Sequence, residues 1–347
     1  MQNMKKYLFL LSVICVSATV KAQSDKEPYL TQSLSKETIK LANVSTSGGS
    51  ISVMGADAGE ARIEMYVTPN GNITGMSKDE IKKRLEENYV VKINVADNVL
   101  TATAKNKNDN WDWKKSLNVS FKIYVPGNVS TDLATSGGSI KLGNLNGKQV
   151  FRTSGGSLKV DNVSGKIDGK TSGGSINVSN SKDDIDLATS GGSITADNCT
   201  GNMQLSTSGG SVHLSALNGV IEANTSGGHI EGDNIKGELS ASTSGGSVKL
   251  TNIRASLETS TSGGNMDIEV VELGKYVKVS NSGGSIDLQL PANKGYDLDL
   301  RGNRVKVNPM NNFSGDTDDN SITGKINGGG TEVRVHAGSG HVNLNFK

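Results

Sequence analysis

The sequence predicts an all-β fold: a parallel β-solenoid, β-helix or β-roll-like, with 18-residue coils of two short strands each. A small helix-containing insertion is expected near its N-terminal end. Three observations predict this. The triplet Ser-Gly-Gly starts at Ser136, Ser154, Ser172, Ser190, Ser208, Ser226, Ser244 and Ser262, each start 18 residues after the last. Between triplets, apolar residues alternate, as in Ile140 and Leu142 or Met203 and Leu205, which is the signature of a half-buried strand. Finally, 43 glycines in 347 residues with only 4% aromatics suit a thin core with many corners. A strict period of this size marks a unit that cannot bury its apolar face alone and must stack on its neighbours.

Taken in order, residues 1–22 read as a secretory signal peptide. Lys5 and Lys6 form the charged start, residues 7–20 the apolar stretch, and Val20-Lys21-Ala22 the cleavage site. The apolar run is short for a membrane span. Cys15 would suggest lipidation, but Ile14 stands where a small residue is expected, so Cys15 is expected to leave with the signal. Residues 23–42 form a polar lead-in. The solenoid is expected over residues 43–347, opening on a first coil with Ser47 at its corner and Ile51 and Val53 alternating.

Residues 72–128 interrupt the period and are expected to cap the first end of the stack. Ser77 and Glu80 make a capping box ahead of a short charged helix. Two strands flank the turn Asp97-Asn98, and a third ends at Pro126-Gly127. The loop between the strands holds both tryptophans, Trp111 and Trp113. Exposed aromatics beside acidic and amide groups can stack on sugars, which makes these two the candidate ligand contacts. The competing reading is that they cover the end of the core.

The strict repeats occupy residues 135–264. Each reads strand, bend, strand, corner. The corner glycines are Gly137 and Gly138, Gly155 and Gly156, Gly173 and Gly174, Gly191 and Gly192. Thr153, Thr171 and Thr189 precede three of these corners. A regular Thr row can be an ice-binding face, but Met203, Leu205 and Thr207 share one parity, which turns the row inward as a structural ladder. Asn144, Asn162 and Asn198 recur in the bend, with Ala216 the exception, and such a column can hydrogen-bond along the axis. Cys199, the one cysteine outside the signal, takes an apolar bend position and is expected to be a buried free thiol. Residues 265–347 are irregular coils and a cap. They include a 20-residue coil, an acidic loop at 313–324, and a closing pair of strands around His336-Ala-Gly-Ser-Gly.

Chemistry is sparse. Lys+Arg 36 against Asp+Glu 35 leaves no nucleic-acid footprint. His213 and His229 pair with no repeated carboxylate, and His336 and His341 flank the last corner. Calcium-binding β-rolls share the period, but apolar residues stand where their Asp ligands belong, so no metal is expected. Glu222 and Glu258 lie two coils apart without aromatic subsites, so no enzyme is expected and no cofactor is implied.

The SGGSI coil, the irregular insertion, the strand ending Tyr124-Val-Pro-Gly-Asn128 and the run of TSGGSI coils resemble the bacterial putative-adhesin family of β-strand-repeat proteins. The resemblance covers about residues 43–347. It implies an exported, non-enzymatic β-solenoid of the cell surface, extracellular space or periplasm, with no catalytic residues to transfer. Its partner would be a surface glycan or protein, with no transmembrane segment in the mature chain. The alternative is an envelope or periplasmic scaffold with no dedicated ligand.

Overall fold

The computed structural model describes residues 27–70, 77–107 and 116–347. The signal peptide and both candidate tryptophans, Trp111 and Trp113, lie outside the described residues. Among the described residues, 27 strands join one hydrogen-bonded network, with one α-helix and one short 3-10 turn.

The repeats stack in parallel with the register of the sequence period. Strand Leu158–Thr171 lies beside Ile140–Thr153 with Leu158 opposite Ile140 and Ile167 opposite Gln149. The same 18-residue step continues through Ile176–Ser179, Ile194–Asp197, Val212–Ser215 and Ile230–Asp233 to Val248–Thr261. A second series runs in step through Lys182–Thr189, Thr200–Thr207, Asn218–Asn224 and Lys236–Thr243. Side chains alternate across each strand, so Ile176, Val178, Ile185 and Leu187 are buried while Asn177 and Asp184 face out. The core is packed across levels as well as within them. A methyl group on Gly169 would come within 2.3 Å of the Phe151 ring, so the glycine leaves the room that the phenylalanine fills.

At the N-terminal end, chain order and stacking order differ. The first coil, Leu41–Thr46 with Ile51–Ala56, carries Ser130–Thr135 and Ile140–Thr153 on one side. On its other side lie Val99–Asn106 and Leu117–Pro126. The insertion therefore supplies the outermost parallel level, and the chain steps back past the first coil between Pro126 and Ser130. Antiparallel strands then extend both series: Tyr89–Ala96 beside Val99–Asn106, and Arg62–Pro69 beside Leu117–Pro126. The helix Lys78–Asn88 starts where the capping box places it, with the Glu80 N–H donating to Ser77 Oγ at 3.2 Å. It buries only Leu85. The lead-in is less polar in its role than in its composition. Leu30–Ser33 pairs with Arg62–Pro69, and Leu34 and Ile39 are buried.

The C-terminal end repeats this logic and corrects one expectation. Thr331–Ala337 and His341–Phe346 do not close the stack. They lie between Met266–Asn281 with Ile286–Leu290 on one side and Tyr296–Arg301 with Arg304–Asn308 on the other. Val333, Val335, Val342 and Leu344 are fully buried there, and such a row needs cover on both sides. The outer cover is Tyr296–Arg301, followed by the antiparallel pair Ser321–Ile326 and Phe313–Asp318. The acidic stretch is thus a hairpin rather than a loop.

Candidate functional site

Three ladders run along the stack, one at the corner, one just outside it and one in the bend. Each Thr hydroxyl donates to the carbonyl of the second corner glycine one level down: Thr153 to Gly138, Thr171 to Gly156 and Thr189 to Gly174, all at 2.8 Å. The same oxygen accepts the N–H of the second glycine of its own corner, as Gly156 to Thr153 at 3.3 Å. The two glycines of a corner differ. A methyl group on Gly138, Gly156, Gly174 or Gly192 would fall 1.9–2.1 Å from the glycine carbonyl oxygen one level down. On Gly137, Gly155, Gly173 or Gly191 it would sit at 3.5–3.8 Å, an ordinary contact.

Outside the corner, the opening Ser of one coil accepts the N–H of the next, as Ser157 to Ser139 Oγ at 3.2 Å. His229 keeps that role by accepting the Ser247 N–H at Nδ1, 2.9 Å. In the bend, Asn144, Asn162, Asn180, Asn198, Asn234 and Asn252 all have φ of 51–56°, and so does Ala216 at 53°. Asn tolerates this left-handed region better than other side chains. Asn162 Nδ2 also donates to Asn144 Oδ1, and Asn198 Nδ2 to Asn180 Oδ1, each at 2.8 Å. Cys199 is buried, and burial pushes its thiol up. Many of the polar atoms of these residues bond to neighbouring levels.

The outer faces offer other chemistry. At the N-terminal end of the first series, an open groove of about 750 Å³ is lined by Ser52, Met54, Asp57, Lys122, Tyr124 and Lys141, among others. Outward parity places Lys122 and Tyr124 there, since Phe121, Ile123 and Val125 take the core. Lys141 stacks beside Ser52 and beside Lys159, so cations recur along the column. Beside the groove, the Arg62 guanidinium lies 3.7 Å from the centre of the Tyr124 ring. Arg62 Nε and Tyr66 Oη hold the Glu64 carboxylate at 2.7 and 2.8 Å. Burial works to raise the Glu64 carboxyl, but these two hydrogen bonds and the Arg62 charge outweigh it and leave it below the usual range. The hydrogen bond to Tyr124 raises the Lys122 ammonium. The arrangement suits recognition of a polar ligand by an aromatic ring and cations. Alternation in Ser120-Phe-Lys-Ile-Tyr-Val-Pro126 turns Lys122 and Tyr124 outward, but it does not say that Ser52 and Lys141 stack beside them.

The histidines need one correction. His213 does pair with a carboxylate: Nδ1 lies 3.1 Å from Glu231 Oε2, one level on in the same outward column. The two residues are 18 apart, so the period itself carried the signal. Among the described residues, no group of three or more His, Cys, Asp or Glu is placed to hold a metal ion. Glu222 and Glu258 stand in one outward column with Ser240 between them, and Glu222 accepts from Asn224 at 2.8 Å. No helix among the described residues is long and apolar enough to cross a membrane.

The geometry defines a repeat-built β protein with an open groove on its outer face. Residues 183–345 match the model of the family described as Toastrack DUF4097. Of solved structures, the chain is similar to a putative cell adhesion protein from Clostridium sporogenes ATCC 15579. That likeness has 11% identity, covers 92% of this chain and 98% of the other, and has a TM-score of 0.19. No curated protein compared matches the chain.

Proposed function

We propose that the protein is an exported, non-enzymatic parallel β-solenoid of the bacterial envelope or surface that binds a surface glycan or protein in the manner of an adhesin. The groove at Tyr124, Lys122 and Lys141 carries this reading. It is open, it presents an aromatic ring with cations around it, and its residues come from the rigid stack. Such a surface suits binding of an extended partner more than enclosure of a reacting group. The match to Toastrack DUF4097 supports an architecture of this kind, and the signal-like start of the sequence supports export.

The test has two parts. Protease shaving of intact producing cells, with a lysed control, reports where the chain resides. A glycan and matrix-protein array is then probed with the wild type, Tyr124→Ala and Lys122→Ala, with Trp111→Ala and Trp113→Ala alongside. The expected result is loss of the signal from intact cells and array binding that falls at least tenfold in Tyr124→Ala. Protection until lysis, with no array binding, would overturn the reading and leave the envelope scaffold as the better account.

A further inference from the structure

The two ends of the stack are finished differently. At the C-terminal end, the outer strand Phe313–Asp318 carries Asp316 and Asp318 and is interrupted by Gly315, while Arg304–Asn308 carries Lys306 and runs into Pro309. Charges, glycine and proline of this kind discourage further pairing. The N-terminal edge of the second series lacks most of these guards. Strand Tyr89–Ala96 runs for 8 residues and pairs on one side only among the described residues. Its core-facing side chains Val91, Ile93 and Val95 are only partly buried, and Val90 on the outer side is 55% exposed. Lys92 is its one charge.

We propose that this edge is the docking surface for a second copy of the chain, paired antiparallel about a two-fold axis through Ile93. Parity restricts the choices, because a slip of one residue would set apolar side chains of one copy against polar ones of the other. Among registers of the right parity, centring on Lys92 would set two ammonium groups directly opposite each other. Centring on Ile93 sets Val91 against Val95, Ile93 against Ile93 and Val90 against Ala96. It also sets the Lys92 ammonium against the uncharged Asn94 side chain, twice, in place of a second ammonium. Self-complementarity of this kind is what a two-fold interface requires. The first series extends one strand further at this end, through Leu30–Ser33, so the two stacks meet at an angle rather than end on.

The test is light scattering or sedimentation of the purified protein over a concentration series. The wild type is expected to double its mass as concentration rises. Asn94→Lys sets lysine against lysine and is expected to remain monomeric with an unchanged thermal midpoint. Lys92→Glu combined with Asn94→Lys sets glutamate against lysine and is expected to restore the doubling. A wild type that stays monomeric throughout would overturn the proposal. So would a dimer indifferent to Asn94→Lys, or one that the double variant fails to restore.

Discussion

At the scale of single residues, the corners show that two adjacent glycines serve different ends. Neither corner glycine has positive φ, so the demand is for space and not for conformational freedom. Gly155→Ala is therefore expected to shift stability by less than about 1 kcal/mol, as a substitution into open contact does. Gly156→Ala forces a methyl group to within 1.9 Å of the Gly138 oxygen and is expected to cost about 3 kcal/mol or more. Urea unfolding of the two variants measures the difference directly. In the bend the demand is conformational. Ala216 occupies a left-handed position that asparagine holds in six other coils. Ala216→Asn is expected to stabilise by about 0.5–1 kcal/mol, through relief of backbone strain, read as a higher urea midpoint.

Two bend carboxylates add a pH dependence. Asp161 accepts from Asn180 and Ser179, and Asp233 from Asn252 and Thr251, all at 2.8 Å. These hydrogen bonds hold both carboxyls below the ordinary value of 3.8. A depressed folded pKa contributes stability that is full above the unfolded value and is lost as pH falls through the folded one. The wild type is thus expected to lose stability below about pH 4 more steeply than Asp161→Asn with Asp233→Asn. Thermal midpoints from pH 6 to pH 2 test this, and parallel curves would refute it.

Among the elements, what the sequence made legible was what the period controls. Alternation at Ile185, Leu187 and Thr189 placed the strands and their inward faces, and Ser77 with Glu80 located the helix. The stacking order at the ends was not legible, because alternation states which face is buried but not which strand lies on either side. Val99–Asn106 and Leu117–Pro126 could be seen as strands, yet nothing local says that they outflank the first coil. His336 and His341 likewise looked like the end of the molecule because they are near the end of the chain. The groove at Tyr124 depends on that end topology, and so it was missed with it. One element also carries a polar cost that alternation conceals. Gln149 stands in an apolar inward column and is fully buried, accepting from Thr131 Oγ1 at 2.7 Å and donating to the Val129 carbonyl at 3.1 Å. It lies where the chain has just stepped past the first coil. Gln149→Leu leaves two buried polar groups unpaired and is expected to cost about 1–3 kcal/mol. Adding Thr131→Val is expected to recover part of that, and a double variant weaker than the single one would contradict the account.

For the whole molecule, stability is distributed along the stack. Each level contacts the levels before and after it, so the chain behaves as a one-dimensional array with specialised ends. Antiparallel strands finish both series at the N-terminal end and one series at the C-terminal end, where the other finishes on the parallel strand Arg304–Asn308. The outward side chains take no part in the inward apolar packing, so the groove at Lys122 and Tyr124 lies outside it.

The central claim is that 18 residues form one interchangeable structural level. The most direct test is to excise one level, residues 193–210, and compare it with excision of the first nine of those residues. The account predicts that the 18-residue deletion unfolds cooperatively, keeps its β-sheet circular dichroism and loses only a few degrees in thermal midpoint. The nine-residue deletion should break the register of every later ladder and leave the protein aggregated or unfolded. If the two deletions were equally tolerated, or equally destructive, the repeat would not be the unit of the structure.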